Sequence, residues 1–409
     1  MTADASSFRW RGVLLSALLP TLVFSIGEGA ILPLIPIVAE SLGASLAGAG
    51  LVASLITVGA LTGTIPGGWV VGRIGERASM IGAALLSAVG AVLAALAPNP
   101  VVLGLGVALV GVSAAVFGLA RHAFMTSYVP MHFRARALST LGGTFRLGFF
   151  IGPFLSAGLI LLTGDSQSAF WLHLIASVAA ALMLVFLPDP ESTFGSAIVH
   201  RGTEEAIAES HGVFRTIWQR RGVLFKLGSG SALIAGLRAS RQVILPLWAV
   251  SIGLEPATTA VIIGIAGAVD FALFYSGGQI MDRFGRTWTA VPSMIGLGVG
   301  HLVLAFTHDL SANSIWFVVV AIVLALANGI GSGIVMTLGA DLAPPEFPAP
   351  FLGAWRFTTE TGGAAAPLLI AGITALISLP VAAAVMGVLG LVGAGILGRY
   401  IPRYVPRKR

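Results

Sequence analysis

The chain has 409 residues, of which 56% are hydrophobic and only 10% are charged, and its mean hydropathy is +0.95. A soluble domain carries roughly 25% charged residues because its whole surface faces water, so this composition excludes a water-soluble protein. The formal net charge of +6 comes from cations too few and too scattered for a nucleic-acid-binding surface. Because the chain has no cysteine, it has neither a disulfide framework nor thiolate chemistry.

Apolar segments long enough to cross a bilayer recur along the chain. A hydrocarbon core about 30 Å thick needs roughly 20 apolar residues in a helix. We predict an all-α membrane protein with twelve spans, at 12–38, 45–71, 79–97, 101–124, 138–162, 168–187, 223–250, 257–281, 289–307, 313–340, 349–376 and 380–400. The apolar run that follows Arg9 and Arg11 is longer than the core of a signal peptide, so we interpret it as the first span.

A long polar connection divides these spans into two sets of six. We predict an N-terminal six-helix bundle over residues 1–187, a cytoplasmic linker over 188–222, and a C-terminal six-helix bundle with a cytoplasmic tail over 223–409. The linker mixes acidic and basic residues, which is typical of a solvated tether. Its end, 212–221, also fits a short amphipathic helix at the membrane surface.

Lysine and arginine fall on one side of the predicted topology. If the N-terminus is cytoplasmic, the cytoplasmic breaks and the tail contain the basic residues. The opposite breaks contain only acidic charges, namely Glu40, Asp165, Glu255 and Asp309. Because cytoplasmic loops of membrane proteins carry an excess of Lys and Arg, the pattern predicts a multi-pass protein of a plasma (inner) membrane with both termini in the cytoplasm.

The two halves of the chain repeat at an offset of 210 residues (246 − 36 = 210). The matched pairs at this offset are Pro36 with Pro246, Arg73 with Arg283, and Arg146 with Arg356. Matched prolines and arginines at three separate places are not expected by chance, even in a glycine-rich chain. The halves are therefore predicted to be parallel repeats about an axis along the membrane normal, with a substrate site near the midplane at their interface.

The breaks after spans 2 and 8 carry related glycine- and arginine-rich sequences. The first copy reads Gly68-Trp69-Val70-Val71-Gly72-Arg73-Ile74-Gly75-Glu76-Arg77, and the second reads Gly278-Gln279-Ile280-Met281-Asp282-Arg283-Phe284-Gly285-Arg286. Both resemble the signature loop of the major facilitator superfamily. The first copy departs from it, because Gly72 replaces an aspartate and Glu76 replaces a basic residue.

This resemblance implies two pseudo-twofold-related six-helix bundles, secondary transport of a small molecule, no cofactor and, by family default, a monomer. It also implies that the two loops gate transport by latching the halves together on the cytoplasmic side. The latch should rest more on Asp282 because the first copy is altered. The alternative is that Arg73 and Arg283 only anchor the loops at the inner surface.

Span 5 contains Gly148-x-x-x-Gly152-Pro153, which resembles the antiporter motif of the twelve-span drug/proton exchangers of the same superfamily. Small residues let helices pack closely in lipid, and Pro153 bends the helix. The resemblance implies a sealed interface that prevents leak during exchange, and a generic packing seam is the alternative. The arginine that this group carries early in span 4 is missing from 103–110.

Seven charged residues in the predicted spans are candidates for substrate binding or proton coupling: Glu28, Arg146, Arg238, Arg241, Asp270, Arg356 and Glu360. An ionisable residue at mid-span costs about 2.5–3.5 kcal/mol on insertion scales, so it normally faces a cavity or a partner. Glu28 and Arg238 are equivalent in the repeat (28 + 210 = 238) and are predicted to face each other across a central cavity. Asp270 is expected to pair with Arg238 or Arg241.

The remaining charges suggest two kinds of role. Arg356 and Glu360 are four residues apart and can satisfy each other, as a structural or a functional pair. Arg146 has no acid at that spacing and is a candidate for contact with a ligand or a partner helix. Glu28 and Asp270 are candidate proton carriers, because a carboxylate that gains and loses an arginine partner can release and bind a proton.

Together these features favour a proton-coupled efflux antiporter for a small organic compound, embedded in the lipid bilayer and working by alternating access. An uptake symporter or exchanger for an organic anion, with Arg238 and Arg241 as the clamp, is the alternative within transport. A lipid flippase or membrane enzyme fits less well, because the chain lacks paired His or Cys ligands, a nucleophile motif and a phosphate-binding loop. A channel also fits poorly, since repeat-related ion pairs suit a gate that alternates.

Overall fold

The computed structural model describes residues 18–129, 131–187, 218–344 and 348–405, and these residues form helices joined by short turns. In the first half, span 1 is Leu19–Ile31 with Ile35–Ser41, span 2 Leu46–Ile74, span 3 Glu76–Ala95, span 4 Pro100–Tyr128, span 5 Met131–Thr163 and span 6 Ala169–Phe186. In the second half, span 7 is Ser229–Ser251, span 8 Pro256–Phe284, span 9 Thr287–Thr307, span 10 Asn313–Ile330 with Ile334–Leu342, span 11 Pro348–Leu376 and span 12 Leu379–Tyr404.

The length and composition of these helices suit a bilayer. Ten candidate spans among the described residues are long and apolar enough to cross a membrane, and the bent pair of segments in span 1 is an eleventh. Span 11 has 29 residues and is more polar because it carries Arg356 and Glu360. The predicted all-α membrane protein with twelve spans in two bundles is confirmed. Most of the predicted linker, residues 188–217, lies outside the described residues, as do Arg9 and Arg11.

Two spans are interrupted, which the sequence analysis did not predict. The two segments of span 1 meet at 41°, next to Pro33 and Pro36, and proline removes a helix hydrogen bond. Span 10 breaks at Gly331–Gly333, where Gly333 has φ +77°. That left-handed conformation is accessible to glycine at little cost, so the helix ends and restarts there.

The backbone repeats at the offset seen in the sequence. Gly75 and Gly285, 210 residues apart, end spans 2 and 8 with φ of +82° and +93°. Gly43 and Gly253, again 210 residues apart, follow spans 1 and 7 with φ of +94° and +71°. Equivalent turns in the two halves thus use a left-handed glycine at the same place, which agrees with the predicted duplication.

The two halves meet along four pairs of spans. Span 5 packs on span 8, span 2 on both span 11 and span 7, and span 1 on span 7. In the first of these contacts, Phe150 stacks on Phe271 with ring centroids 6.4 Å apart. Gly50 of span 2 leaves room for Leu247 of span 7 and Ala371 of span 11. These contacts surround the space in which the buried charges lie.

Candidate functional site

Asp270, in the middle of span 8, accepts hydrogen bonds from three other spans. Arg146 Nη1 of span 5 donates to Oδ1 at 2.6 Å, Arg241 Nη2 of span 7 donates to Oδ2 at 3.1 Å, and Asn328 Nδ2 of span 10 donates to Oδ2 at 2.7 Å. The Asp270 side chain is only 10% exposed. A carboxylate buried to that degree is costly unless it is paired and hydrogen-bonded, and here Arg146 supplies the pairing from the opposite half.

This cluster lies in a cavity between the halves with a volume of about 240 Å³. Spans 1 and 5 of the first half and spans 7, 8 and 10 of the second line it. Phe145 and Phe149 give it an apolar wall, while its polar groups include Arg146, Arg238 and Arg241. The sequence analysis predicted a site at the interface of the repeats, and the charged cavity lies there.

Arg238 lines the same cavity but is bound differently from Arg241. Its Nη2 donates to the carbonyl oxygen of Gly331, at the break in span 10, at 2.6 Å. Its Nε is buried and has no hydrogen-bond partner among the described residues. Of the two arginines expected to pair with Asp270, the structure therefore pairs Arg241 and leaves Arg238 on a backbone carbonyl.

The prediction that Glu28 faces Arg238 across the central cavity is wrong, because Arg238 is among the residues that line the cavity and Glu28 is not. Glu28 is buried, with 6% of its surface exposed, and the arginine that interacts with it electrostatically is Arg121 of span 4. The charges that act on Arg238 are those of Arg146, Asp270 and Arg241. Repeat symmetry places Glu28 and Arg238 at equivalent heights, but each side chain turns to a partner on a helix of its own half.

Arg121 is a candidate site residue that the sequence analysis missed. It lies in span 4, a 29-residue apolar helix, C-terminal to residues 103–110. Its guanidinium lies 5.0 Å from the ring centroid of Phe145, which lines the cavity. The sequence could have indicated Arg121, since an arginine inside an apolar span is unusual.

Two further predictions about the charges in the spans are confirmed. Arg356 Nε donates to Glu360 Oε1 at 2.7 Å, with side chains 53% and 33% exposed. Arg146 contacts a partner helix, through Asp270 and through the ring of Phe274, whose centroid lies 4.9 Å from its guanidinium carbon. The Arg356–Glu360 pair does not line the cavity described above.

The signature loops make their described hydrogen bonds within their own halves. In the first loop, Arg77 donates to the carbonyl oxygens that end span 6, those of Leu184, Val185 and Leu187. Arg73 lies over the ring of Trp69, 5.1 Å from its centroid.

In the second loop, Arg286 Nε donates to Asp341 Oδ2 at 2.8 Å, and this hydrogen bond raises the pKa of Arg286. Asp282 is 86% exposed and lies 4.0 Å from Arg286. Side chains built at Gly68 and Gly278 would meet no atom within 4 Å. The latch between the halves therefore stays a prediction.

The glycines of the span 5 motif pack against span 1. A Cβ on Gly148 would lie 2.5 Å from Ser25 Cβ, and a Cβ on Gly152 would lie 2.5 Å from the backbone nitrogen of Ala30. Pro153 follows directly and lines the cavity. The motif thus forms a backbone-to-backbone seam within the first half, beside the site.

Two six-span bundles around a charged central cavity define a secondary transporter, not an enzyme. The family model of the Major Facilitator Superfamily matches residues 17–367 and again 227–409, and the chain belongs to that superfamily.

Solved structures of the same fold cover nearly the whole chain. A D-xylose-proton symporter matches with a TM-score of 0.76 at 15% identity, over 98% of this chain and 100% of that one. A POT family transporter in complex with a thioalcohol-conjugated peptide matches with a TM-score of 0.77 at 13% identity, over 97% of both chains. Identities this low show the fold alone.

Curated relatives are similar at modest identity. The cis,cis-muconate transport protein of Acinetobacter baylyi is 24% identical over 393 residues, which is 93% of this chain and 92% of the relative. The galactose-proton symporter of Escherichia coli K12 is 25% identical over 44% of this chain and 39% of its own length. Inositol transporter 4 of Arabidopsis thaliana is 26% identical over 41% of this chain and 28% of its own length. The chain thus spans well under half of the last two proteins.

Proposed function

We propose that the protein transports a small organic anion by alternating access, in symport with protons. The observation that carries this proposal is the charge of the cavity. Arg146, Arg238 and Arg241 face a single acid, Asp270, so the lining has a formal charge of +2 (3 − 1). A cationic ligand would be repelled there, whereas a dianion would neutralise the lining. Arginine also suits the ligand, because its planar fork matches a carboxylate.

Two relatives support this choice over efflux of a cationic drug. The relative that aligns over nearly the whole chain is named for transport of cis,cis-muconate, and another is named as a proton symporter. The symport proposal therefore takes the place of drug efflux, which the sequence analysis favoured, as the first candidate.

Glu28 and Asp270 are the proposed proton carriers. Each is a buried carboxylate beside arginine, Glu28 near Arg121 and Asp270 bound to Arg146 and Arg241. Rocking of the halves changes the distance across the Arg146–Asp270 pair, since its members belong to different halves. A carboxylate that loses its arginine in a dry site is costly in its charged form, so separation favours uptake of a proton.

Efflux antiport remains a second candidate, and one observation favours it. Gly148 and Gly152 form the tight seam with span 1 that the antiporter motif requires. In that case the same cavity exports an organic compound while a proton returns. Symport and antiport move protons in opposite directions relative to the substrate, so one experiment separates them.

The topology of the transporter completes the proposal. Both termini lie in the cytoplasm of a cell whose plasma membrane holds the protein, and the Lys and Arg asymmetry along the chain supports this orientation. A monomer is proposed as the default of the family. The rocking units are residues 1–187 and 223–409, joined by the linker 188–222. In this arrangement the two signature loops face the cytoplasm and gate access from that side.

The test uses purified protein in proteoliposomes that contain a pH dye. External adipate, benzoate and tetraphenylphosphonium are added separately, as probes for a dianion, a monoanion and a lipophilic cation. We expect adipate to acidify the lumen, benzoate to have a smaller effect and the cation to have none. In Arg238→Ala the adipate response should disappear, whereas it should persist in Arg399→Ala, which removes an exposed arginine of span 12.

Other outcomes would change the proposal. Luminal alkalinisation on addition of adipate would establish antiport of the anion. A response to the cation alone would contradict the anion assignment and favour drug efflux.

A further inference from the structure

Arg238 connects the cavity to the break in span 10. Its Nη2 is 2.6 Å from the carbonyl oxygen of Gly331, the first residue of the break. The same carbonyl oxygen accepts the backbone N–H of Ile334, where the second segment of span 10 begins, at 3.4 Å. One cavity-lining side chain thus contributes the shorter of the two hydrogen bonds described at the Gly331 carbonyl oxygen.

The joint is tightly packed but incompletely hydrogen-bonded. A Cβ on Gly331 would force the Ser293 side chain to shift and would lie 3.2 Å from Arg238 Nη2. The Ser293 and Ser332 hydroxyls, like Arg238 Nε, are buried without a hydrogen-bond partner among the described residues. A buried polar group without a partner is destabilising, so the unpaired polar groups at the joint do not favour this arrangement over another one.

The segment beyond the joint, Ile334–Leu342, is attached to the second signature loop. Asp341 accepts from Arg286 Nε at 2.8 Å and from Nη2 at 3.4 Å. Near the other end, Val335 accepts from Trp355 Nε1 of span 11 at 3.0 Å. A change at Gly331 therefore acts on a helix that holds the loop after span 8.

We propose that Arg238 is a positioning residue that couples occupancy of the cavity to the second segment of span 10. This inference rests on the proposed function, in which an anion in the cavity attracts Arg238. The guanidinium then leaves the Gly331 carbonyl for the ligand, and the joint at Gly331–Gly333 is free to change. The segment Ile334–Leu342 moves and carries its ion pair with Arg286 along with it.

The test measures the position of that segment directly. Because the chain has no cysteine, spin labels can be placed uniquely at Met336→Cys, in the segment, and at Phe306→Cys, at the far end of span 9. Both side chains are exposed, by 75% and 78%. The distance between the labels is compared in the full-length protein with Arg238, with Arg238→Ala and with Arg241→Ala, each with and without adipate.

Without adipate, Arg238→Ala should shift the main distance by about 2 Å or more, since it mimics release of Gly331. Arg241→Ala, on the same helix face but not bound to span 10, should leave it unchanged. If Arg238→Ala does not fold, Arg238→Met keeps the bulk without the donors. Adipate should shift the distance in the protein that retains Arg238 and should add nothing in Arg238→Ala.

The outcomes separate this inference from the proposed function. An unchanged distance in a folded Arg238→Ala or Arg238→Met variant would overturn the coupling, as would adipate that binds without moving the segment. A shift in Arg238→Ala with no binding of adipate would uphold the link between Arg238 and span 10 while contradicting the anion as ligand.

Discussion

Arg146 of span 5 and Asp270 of span 8 form a 2.6 Å ion pair that joins the two halves of the protein beside the cavity. Arg241 shares the same carboxylate from span 7. In the proposed alternating-access cycle the halves rotate against each other, so we expect this pair to be made and broken within the cycle. Its strength therefore bears on both the stability of this conformation and the rate of exchange.

We expect Asp270→Asn to lower the free energy of unfolding by about 3 kcal/mol, because it leaves buried arginines without an acid. Chemical unfolding in detergent micelles measures this loss. The double variant Arg146→Met with Asp270→Asn should recover part of it, since removing both members of a buried pair costs less than removing one. Equal losses in the single and double variants would show that the pair between the halves does not stabilise this conformation.

Glu28→Gln should abolish accumulation of anion against its gradient while leaving exchange of internal for external anion intact. The reason is that the amide cannot carry a proton, whereas the cavity arginines that bind the anion remain. Radiolabelled uptake and counterflow in proteoliposomes measure the two activities. Glu40→Gln removes an exposed acid in the last turn of span 1 and serves as the control; if Glu28→Gln retains proton-driven uptake, Glu28 is not the carrier.

The seam between spans 1 and 5 should be intolerant of a single methyl group. Gly152→Ala places its Cβ against the backbone of Ala30, and overpacking of this kind costs about 1–3 kcal/mol. Gly158→Ala on the same helix meets nothing within 4 Å and should be neutral or slightly stabilising. Thermal unfolding and transport rate compare the two variants, and similar behaviour of both would show that the seam is not close-packed.

Arg77→Ala should destabilise the end of span 6 by about 1–2 kcal/mol. Arg77 donates to three carbonyl oxygens there that lack helical partners, and cations near a helix C-terminus are favourable. Hydrogen exchange of residues 180–187 should rise in Arg77→Ala. Hydrogen exchange of these residues should not change in Arg399→Ala, since Arg399 makes no such contacts with the described residues. Equal protection in both variants would show that Arg77 does not stabilise the end of span 6.

The twelve spans, the duplication and the location of the charged cavity at the interface follow from the sequence. They depend on hydropathy and on matched residues at one offset, which are properties of the chain order. The partners of the buried charges depend instead on helix rotation and on which neighbour is closest, and those are properties of packing. Arg146 was predicted to contact a ligand or a partner helix, and the sequence did not indicate which helix. The prediction that Glu28 faces Arg238 named both members and was wrong.

The break in span 10 also depends on packing and could not be predicted from the sequence. Gly329, Gly331 and Gly333 are visible in the sequence of span 10, but with 53 glycines in the chain they do not stand out. What makes Gly331 special is the approach of Ser293 and Arg238 from spans 9 and 7. Only the folded chain brings those groups together, so the break at Gly331–Gly333 could not be predicted.

The excess of arginine over acid in the cavity has an electrical consequence. A lining of formal charge +2 changes its exposure to the two sides of the membrane each time the empty protein changes conformation. A bound dianion cancels that charge. Membrane voltage acts on a charge crossing the full field with about 2.3 kcal/mol per 100 mV. In the proposed symport it therefore bears more on the return of the empty carrier, with a lining of +2, than on a step loaded with a dianion and one proton, with +1 (2 − 2 + 1). A cell that changes its membrane potential would thereby set how fast the transporter resets.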